Sequence, residues 1–245
     1  MKSVGTHGPF PTTQWTIISR LRSKDDATVQ RALEDICAQY HYPLYCYIRH
    51  SGFDHHDAED ALQDFMAKLL RLNTFAQAHA GKGRLRTLLI TSLQRFLINW
   101  RRDRPHRQRE CGIEIAPEMK GSDVDRYLSE VRVEGETPER FFERKWGHEL
   151  LETVLRLLAE DYDRRGSADV FAALRPVLMA GGSLRGEDTP RLSATLGLSE
   201  NALRLRLSRL LKEFREKLES EVFLTVGARE EVAEEISYLM NLFSR

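Results

Sequence analysis

Arginine and aromatic side chains are concentrated in the stretch SLQRFLINWRRDRPHR, residues 92–107. It holds five arginines together with Phe96 and Trp100. Guanidinium groups bind phosphates with two parallel hydrogen bonds, and aromatic rings stack on unpaired bases. These residue types therefore favour nucleic-acid binding. The two rings also share a helical stripe with Leu89 and Leu93, which predicts that they are core residues rather than a base platform.

Charges are segregated along the chain although its formal net charge is zero. Residues 82–109 contain nine basic side chains and one acid, whereas residues 110–139 contain nine acids and three basic side chains. The helix dipole explains one or two cations at a helix end, at about 0.3–1 kcal/mol each. A basic block of this size is instead typical of a surface that meets several phosphates, and it predicts binding that weakens steeply with salt.

Length and composition limit the possible classes of protein. A chain of 245 residues with 41% hydrophobic and 30% charged residues predicts one large or two small globular domains. No apolar run reaches the length of a signal-peptide core or a spanning helix, which predicts a cytoplasmic protein without a membrane segment. Cys37, Cys46 and Cys111 lack metal-site or redox spacing, so reduced thiols are expected. No catalytic motif stands out, which predicts a protein that is not an enzyme and takes no cofactor or metal.

The positions of apolar residues predict an all-α protein, because they recur with the period of a helix. A first helix is expected over 28–50, with Pro43 kinking or dividing it. Asp54 is placed to cap a second helix, and a third helix leads into the arginines. These three helices predict one small bundle.

A second helical domain is predicted after an acidic linker at 110–136. Thr137 and Pro138 are the residue types typical of an N-cap and the first position of a helix. Further on, Gly197 and Ser199 separate a short helix from one with regularly spaced leucines, as in a helix-turn-helix. Arginines off the leucine stripe favour contact with the DNA major groove. The alternative interpretation is a plain helical hairpin with a basic exposed face.

The stretch DAEDALQDF, residues 57–65, is expected to expose Asp60, Gln63 and Asp64 beside its core stripe. Acids at a helix start also satisfy the helix dipole without any partner. The stretch resembles region 2.2 of bacterial sigma factors, and the segment GRLRTLL…FLINWRR resembles regions 2.3 and 2.4. The segment LGLSENALRLRLSRLLKEFREKL is similar to region 4.2. Together they resemble the extracytoplasmic-function subfamily of the sigma-70 family, in a branch with a C-terminal extension.

The resemblance implies two small helical domains and a function in transcription initiation. The implied segments are a lead segment (1–24), a region 2-like domain (25–109), the acidic linker (110–136), a region 4-like helix-turn-helix domain (137–221) and a C-terminal extension (222–245). The implied partners are core RNA polymerase, through its β′ clamp helices and β flap, promoter DNA, and an anti-sigma factor or the chain's own extension. Such a factor recognises the −10 and −35 promoter elements and promotes melting without nucleotide hydrolysis.

The resemblance also implies three sets of contact residues. The polymerase set is Asp60, Gln63, Asp64 and Lys68. The −10 set is Arg84, Arg86, Arg95, Asn99, Arg101 and Arg102. The −35 set is Ser199, Glu200, Asn201, Arg204, Arg206, Ser208 and Lys212. Arg95 and Asn99 depart from the asparagine and aspartate found in many relatives, so a −10 sequence preference is not carried over.

Two other functions stay open. One is a helix-turn-helix transcription regulator that binds DNA without joining polymerase. The other is an HD-type metal-dependent phosphohydrolase, suggested by His55, His56 and Asp57, whose remaining ligands would come from other helices. The candidates for those ligands are His41, His50 and His79.

The C-terminal extension is predicted to contain a short amphipathic helix. Its apolar residues are Val232, Ile236, Leu239, Met240 and Phe243, and its acids are Glu230, Glu231, Glu234 and Glu235. The simpler expectation is that this helix packs on the second domain. The alternative is that it folds over a DNA-binding or polymerase-binding face and regulates the factor in cis.

Overall fold

The computed structural model describes residues 20, 23, 25–71, 84–107, 126–128, 135–184, 188–226 and 228–243. Nearly all of the predicted lead segment, most of the predicted linker, Cys111 and His79 lie outside these residues. The described residues are mostly helical and include no strand, which confirms the all-α class. Within these ranges, no helix has the length and apolar character needed to cross a membrane.

Eight α-helices carry the described structure. In chain order they are α1 (Asp26–His50), α2 (His55–Arg71), α3 (Leu85–Arg107), α4 (Pro138–Arg164), α5 (Ala168–Met179), α6 (Asp188–Leu196), α7 (Glu200–Phe223) and α8 (Val232–Phe243). A 3-10 turn, Arg229–Glu231, precedes α8.

The chain divides into two compact units. Unit 1 takes its described residues from Met1–His148 and Phe223–Arg245, and unit 2 is Glu149–Val222. These units differ from the predicted domain ranges in two places. Unit 2 begins at residue 149 rather than 137, and the C-terminal extension joins unit 1 rather than following unit 2. The expectation that the extension packs on the predicted second domain, 137–221, is met at Gly147 and His148, but the extension also pairs with Arg84 and Arg86 of the predicted first domain.

The predicted caps in unit 1 are present, whereas the predicted division of the first helix is not. Asp54 Oδ1 accepts a hydrogen bond from the Asp57 backbone N–H at 2.8 Å and so caps α2. Pro43 lies inside α1, which continues through it as one helix. The residues around it, 42–48, are all buried, and this packing stabilises the helix across the missing backbone donor.

The first part of α4 belongs to unit 1 because its side chains bond to α1 and α3. Glu139 accepts hydrogen bonds from Tyr47 at 3.1 Å and from Gln94 at 2.7 Å. Burial raises the pKa of Glu139, but backbone and side-chain hydrogen bonds outweigh this and hold the pKa below its usual value. Thr137 Oγ1 accepts from the Arg140 backbone N–H at 3.3 Å, which confirms the predicted N-cap.

Part of the predicted linker contributes to the core of unit 1. Tyr127 is only 2% exposed. Its ring packs edge-on against Tyr45 and Phe141, with centroids 5.9 and 6.1 Å away, and the Arg49 guanidinium lies 4.8 Å from its centre. The prediction of a plain linker over 110–136 is wrong at Tyr127. Burying its large aromatic ring stabilises the fold more than leaving the ring exposed in a linker would.

Unit 2 is built around one hydrophobic core from α4, α5, α6 and α7. Its buried members are Val154, Leu155, Leu158, Tyr162, Val170, Phe171, Leu174, Val177, Leu178, Leu192, Leu203, Leu207 and Leu210. Gly197 has φ +63° between α6 and α7, a conformation that favours glycine. Ser199 Oγ accepts from the Ala202 backbone N–H at 3.3 Å and caps α7. The order of a short helix, a glycine turn and a capped helix agrees with the sequence, and the choice between a helix-turn-helix and a plain helical hairpin stays a prediction.

Candidate functional surfaces

The polymerase set lies on one face of α2. Asp60, Gln63, Asp64 and Lys68 are all exposed. The buried face of the same helix is Ala58, Ala61, Leu62, Phe65, Met66 and Leu69. Asp64 Oδ2 also accepts a hydrogen bond from Trp100 Nε1 at 2.9 Å, and Lys68 Nζ lies 5.3 Å from the centre of the Phe96 ring. The polar face of α2 is therefore joined to α3 through Asp64 and Lys68, while Asp60 and Gln63 face solvent.

The second half of α3 exposes four residues of the −10 set: Arg95, Asn99, Arg101 and Arg102. Phe96 and Trp100, in contrast, are buried, which confirms that they are core residues. Arg101 donates to the Ser51 carbonyl oxygen at 2.7 Å, and its guanidinium lies 4.2 Å from the centre of the Phe53 ring. Arg101 thus holds the turn between α1 and α2 as well as facing solvent.

The same face of α3 carries an exposed apolar residue that the sequence analysis missed. Ile98 is 71% exposed and lies between Arg95 and the arginines at 101 and 102 along the helix. Apolar side chains on DNA-binding surfaces can insert between base steps. The signal in the sequence was an isoleucine outside the stripe of Leu89, Leu93 and Phe96.

The start of α3 differs from its second half, because Arg84 and Arg86 are covered by α8. Arg86 is 2% exposed and Glu235 is 0% exposed. Glu235 Oε2 lies 2.8 Å from Arg84 Nη2, and Glu235 Oε1 contacts Arg86 Nη1. In this conformation the Arg86 guanidinium is inside the protein and does not reach DNA.

Other groups complete the cluster around Arg86. Its Nε donates to Glu143 Oε2 at 3.1 Å, and its guanidinium lies 4.4 Å from the Trp146 ring centre and 5.6 Å from that of Tyr238. Burial lowers the pKa of Arg86, but the carboxylates of Glu235 and Glu143 raise it by more, so the group stays charged. We call Arg84, Arg86 and Glu235 the tail ion cluster.

The burial of Glu235 is a feature of α8 that the sequence analysis did not predict. Glu235, counted among the acids of the extension, is buried, whereas Met240, counted among its apolar residues, is 65% exposed. The usable signal was spacing: Val232, Glu235, Leu239 and Leu242 follow one another at intervals of three and four residues. An acid on an apolar stripe needs a buried cationic partner.

The −35 set lies on α7 of unit 2 and on its cap residue Ser199. All seven of its residues are exposed: Ser199, Glu200, Asn201, Arg204, Arg206, Ser208 and Lys212. Arg204 lies 3.4 Å from Glu200, and Lys212 lies 3.8 Å from Glu216, in both cases one turn away along the exposed helix. Such pairs are weak in water, so these cations stay available to another anion.

Two of the three residues behind the phosphohydrolase alternative, His55 and His56, form a cluster with Glu59, and Asp57 is not a member. His55, His56 and Glu59 place one potential metal-ligating atom each within 4.8 Å of one another. His55 Nδ1 lies 3.1 Å from the Tyr45 hydroxyl, and its Nε2 lies 3.3 Å from Glu59, so both ring nitrogens have contacts within the protein. The cluster begins α2, where the helix dipole disfavours a cation.

The further ligands proposed for that alternative do not join the cluster in the described part of the chain. His50 Nε2 contacts the Glu136 carbonyl oxygen at 2.8 Å, and its ring stacks on Phe141. His41 is likewise not among the grouped residues, and His79 lies outside the described ranges.

The exposed members of the three predicted contact sets thus lie on α2, on the second half of α3, and on α7 with its cap residue Ser199. A further basic group, at the start of α3, is covered by α8. Comparisons of this chain with protein-family models, with curated proteins and with solved structures found no match.

Proposed function

We propose that this protein is a sigma factor, which joins core RNA polymerase, recognises −10 and −35 promoter elements, and opens promoter DNA. Such a factor works in the cytoplasm and takes no cofactor, metal or catalytic residue of its own. The observation that carries the proposal is the exposed acidic and polar face of α2, since DNA binding alone gives no reason for it.

Polymerase binding is supported by the division of α2 into two faces. Asp60 and Gln63 are exposed, whereas Leu62, Phe65 and Leu69 of the same helix are buried. A carboxylate in this position is suited to a basic surface on a protein partner, where complementary charges guide association. The same charge would repel DNA, so one surface cannot serve both partners.

Duplex DNA binding is supported by unit 2. Leu203, Leu207 and Leu210 bury one side of α7, and this leaves its basic residues exposed on the other side. The N-terminal residues of the second helix of such a motif contact base edges, while its arginines and lysines meet phosphates. Asn201 and Arg204 are the exposed residues suited to base contacts.

Contact with opened DNA is supported by the second half of α3. Arg95 and Arg102 are exposed on the same segment as Ile98. Cations that meet phosphates and an apolar side chain that meets bases are the combination found on single-strand surfaces. Holding unpaired bases in this way offsets the cost of separating the strands without nucleotide hydrolysis.

The alternative is a regulator that binds DNA without polymerase, and one pull-down separates the two. Purified core polymerase is captured with the wild-type chain, with Asp60→Arg and with Glu34→Arg. Glu34 is an exposed acid of α1, so its reversal is a matched control. We expect Asp60→Arg to lose at least roughly tenfold in affinity, as expected for truncating or reversing a central charge.

The controls decide how the pull-down is interpreted. Glu34→Arg should bind like the wild type, and circular dichroism should show the same helix content for all three proteins. Equal capture of Asp60→Arg and wild type, or no capture of either, would remove the sigma proposal and leave the DNA-binding regulator.

A further inference from the structure

The tail ion cluster buries a carboxylate between two arginines that the resemblance places at the −10 element. Glu235 is fully buried, and only Arg84 keeps part of its side chain exposed, at 29%. An isolated buried carboxylate is very costly, so Glu235 can sit there only with a cationic partner. The docking of α8 therefore depends on the same guanidinium groups that a phosphate would use.

A close apolar contact also holds α8 against unit 1. Gly147 on α4 has no side chain, and a Cβ built there would lie 2.8 Å from Phe243 Cζ and 3.3 Å from Leu239 Cδ2. The Phe243 ring also meets His148 edge-on, with centroids 4.8 Å apart. One buried ion cluster and one close apolar contact thus fix α8 on unit 1.

A carboxylate and a phosphodiester present the same chemistry to arginine, because both are anions whose oxygens accept from a guanidinium fork. With sigma activity taken from the proposed function, we propose that Arg84 and Arg86 form one anion site with two mutually exclusive occupants. These occupants are the Glu235 carboxylate of docked α8 and a phosphodiester group of promoter DNA. Docked α8 is then the closed state of the factor.

The outer side of the extension opposes DNA as well. Glu230, Glu231 and Glu234 are exposed around the start of α8. Their negative charge belongs to the same unit as the arginines of α3, and at moderate salt it lowers the attraction of that unit for DNA within about 10 Å. Docking therefore hides two cations and adds exposed acids.

The first test uses full-length protein in reconstituted holoenzyme and promoter DNA selected from a randomised library. Glu235→Gln keeps the shape of the side chain and removes its charge, and Glu234→Gln is the matched control on the exposed side of the same helix. We expect Glu235→Gln to raise promoter affinity by roughly tenfold, within the usual range of coupling between two sites. Glu234→Gln should change it by less than about twofold, as a screened surface charge.

The second test needs no substitution, so it stands even if Glu235→Gln loses stability. Hydrogen exchange of the α8 amides is measured in wild-type holoenzyme with and without promoter DNA. We expect α8 to exchange faster when DNA is bound, because the phosphate displaces Glu235. Unchanged or slower exchange of α8, or equal promoter affinity for the two glutamine variants, overturns the shared site.

Failure of the proposed function gives a different result. A wild-type chain that does not join core polymerase or support transcription overturns both proposals. A chain that supports transcription while α8 stays protected overturns only the shared anion site, and makes α8 a permanent part of unit 1.

Discussion

Two basic regions of this chain, the start of α3 and the exposed side of α7, differ in where their counter-charges come from. On α7, Arg204 pairs with Glu200 from the same helix and stays exposed. At the start of α3, Arg86 pairs with Glu235 from a helix at the far end of the chain and is buried. The number of arginines in a segment therefore gives its charge but not its availability. The position of the counter-charge decides whether a basic region can meet DNA.

The largest effect is expected from a substitution at the start of α3, the basic region that α8 covers. Arg86→Ala removes the partner of a buried carboxylate and should lower the free energy of unfolding by about 3–5 kcal/mol. Arg206→Ala on the exposed side of α7 should change it by no more than about 0.5 kcal/mol. Urea unfolding followed by the fluorescence of Trp100 and Trp146, both in unit 1, measures the first loss, and far-ultraviolet circular dichroism compares the two variants. Equal stability of both variants would contradict the difference between the regions.

The next substitution weakens the packing of α8 and leaves Arg84 and Arg86 unchanged. Gly147→Ala puts a methyl group 2.8 Å from Phe243 Cζ, so the Phe243 ring or α8 itself must shift. Overpacking of this kind costs about 1–3 kcal/mol, and hydrogen exchange of the α8 amides should become faster accordingly. Ser237→Ala, on the exposed side of α8, is the control and should leave exchange unchanged. No change in Gly147→Ala would mean that α8 is not held by this contact.

A smaller effect is expected from a substitution on the exposed basic side of α7. Arg206→Gln should weaken binding to duplex promoter DNA by on the order of 1 kcal/mol and reduce the slope of log affinity against log salt by about one unit. Its thermal unfolding should be unchanged because the side chain is exposed. Arg175→Gln, an exposed arginine of α5 paired with Glu152, is the control for a charge loss elsewhere in unit 2. The same salt slope in both variants would argue against α7 as the contact surface.

The smallest expected effect is a dependence of the folding stability on pH. Burial, and then the charges of Lys145, Arg144 and Arg126, lower the pKa of His148 from 6.5 to about 4. Between these values the unfolded chain binds a proton that the folded chain does not, so stability should fall as pH falls from about 6.5 to about 4. The effect is modest because the His148 side chain is exposed and solvent screens the neighbouring charges.

Thermal unfolding at pH 7 and pH 5 measures this dependence. His148→Gln has no proton to take up there, so its melting temperature should fall by less than that of the wild type between the two pH values. The same fall in both proteins would show that His148 does not carry the effect.

The sequence predicted the helical elements well because their signals are local. The caps at Asp54, Thr137 and Ser199 are hydrogen bonds within three residues, and the structure confirms all three. The turn at Gly197 depends on one backbone conformation. The exposed positions of the α2 and α7 sets follow from the spacing of buried residues on the same helices.

The features that the sequence did not predict depend on contacts between distant segments. The burial of Tyr127 depends on Tyr45 and Phe141, which belong to other parts of unit 1. The burial of Arg86 depends on Glu235, which lies 149 positions later in the sequence. Periodicity identifies a helical face, but it does not identify the surface that the face covers.

The most direct test of the proposed function is transcription by core polymerase plus this protein on a library of randomised promoter fragments. We predict transcripts that require the protein, whose templates share two short elements upstream of the start, and that disappear with Asp60→Arg. A complete absence of transcripts that depend on the protein, on a library that a known initiation factor transcribes with the same core enzyme, would contradict the proposal.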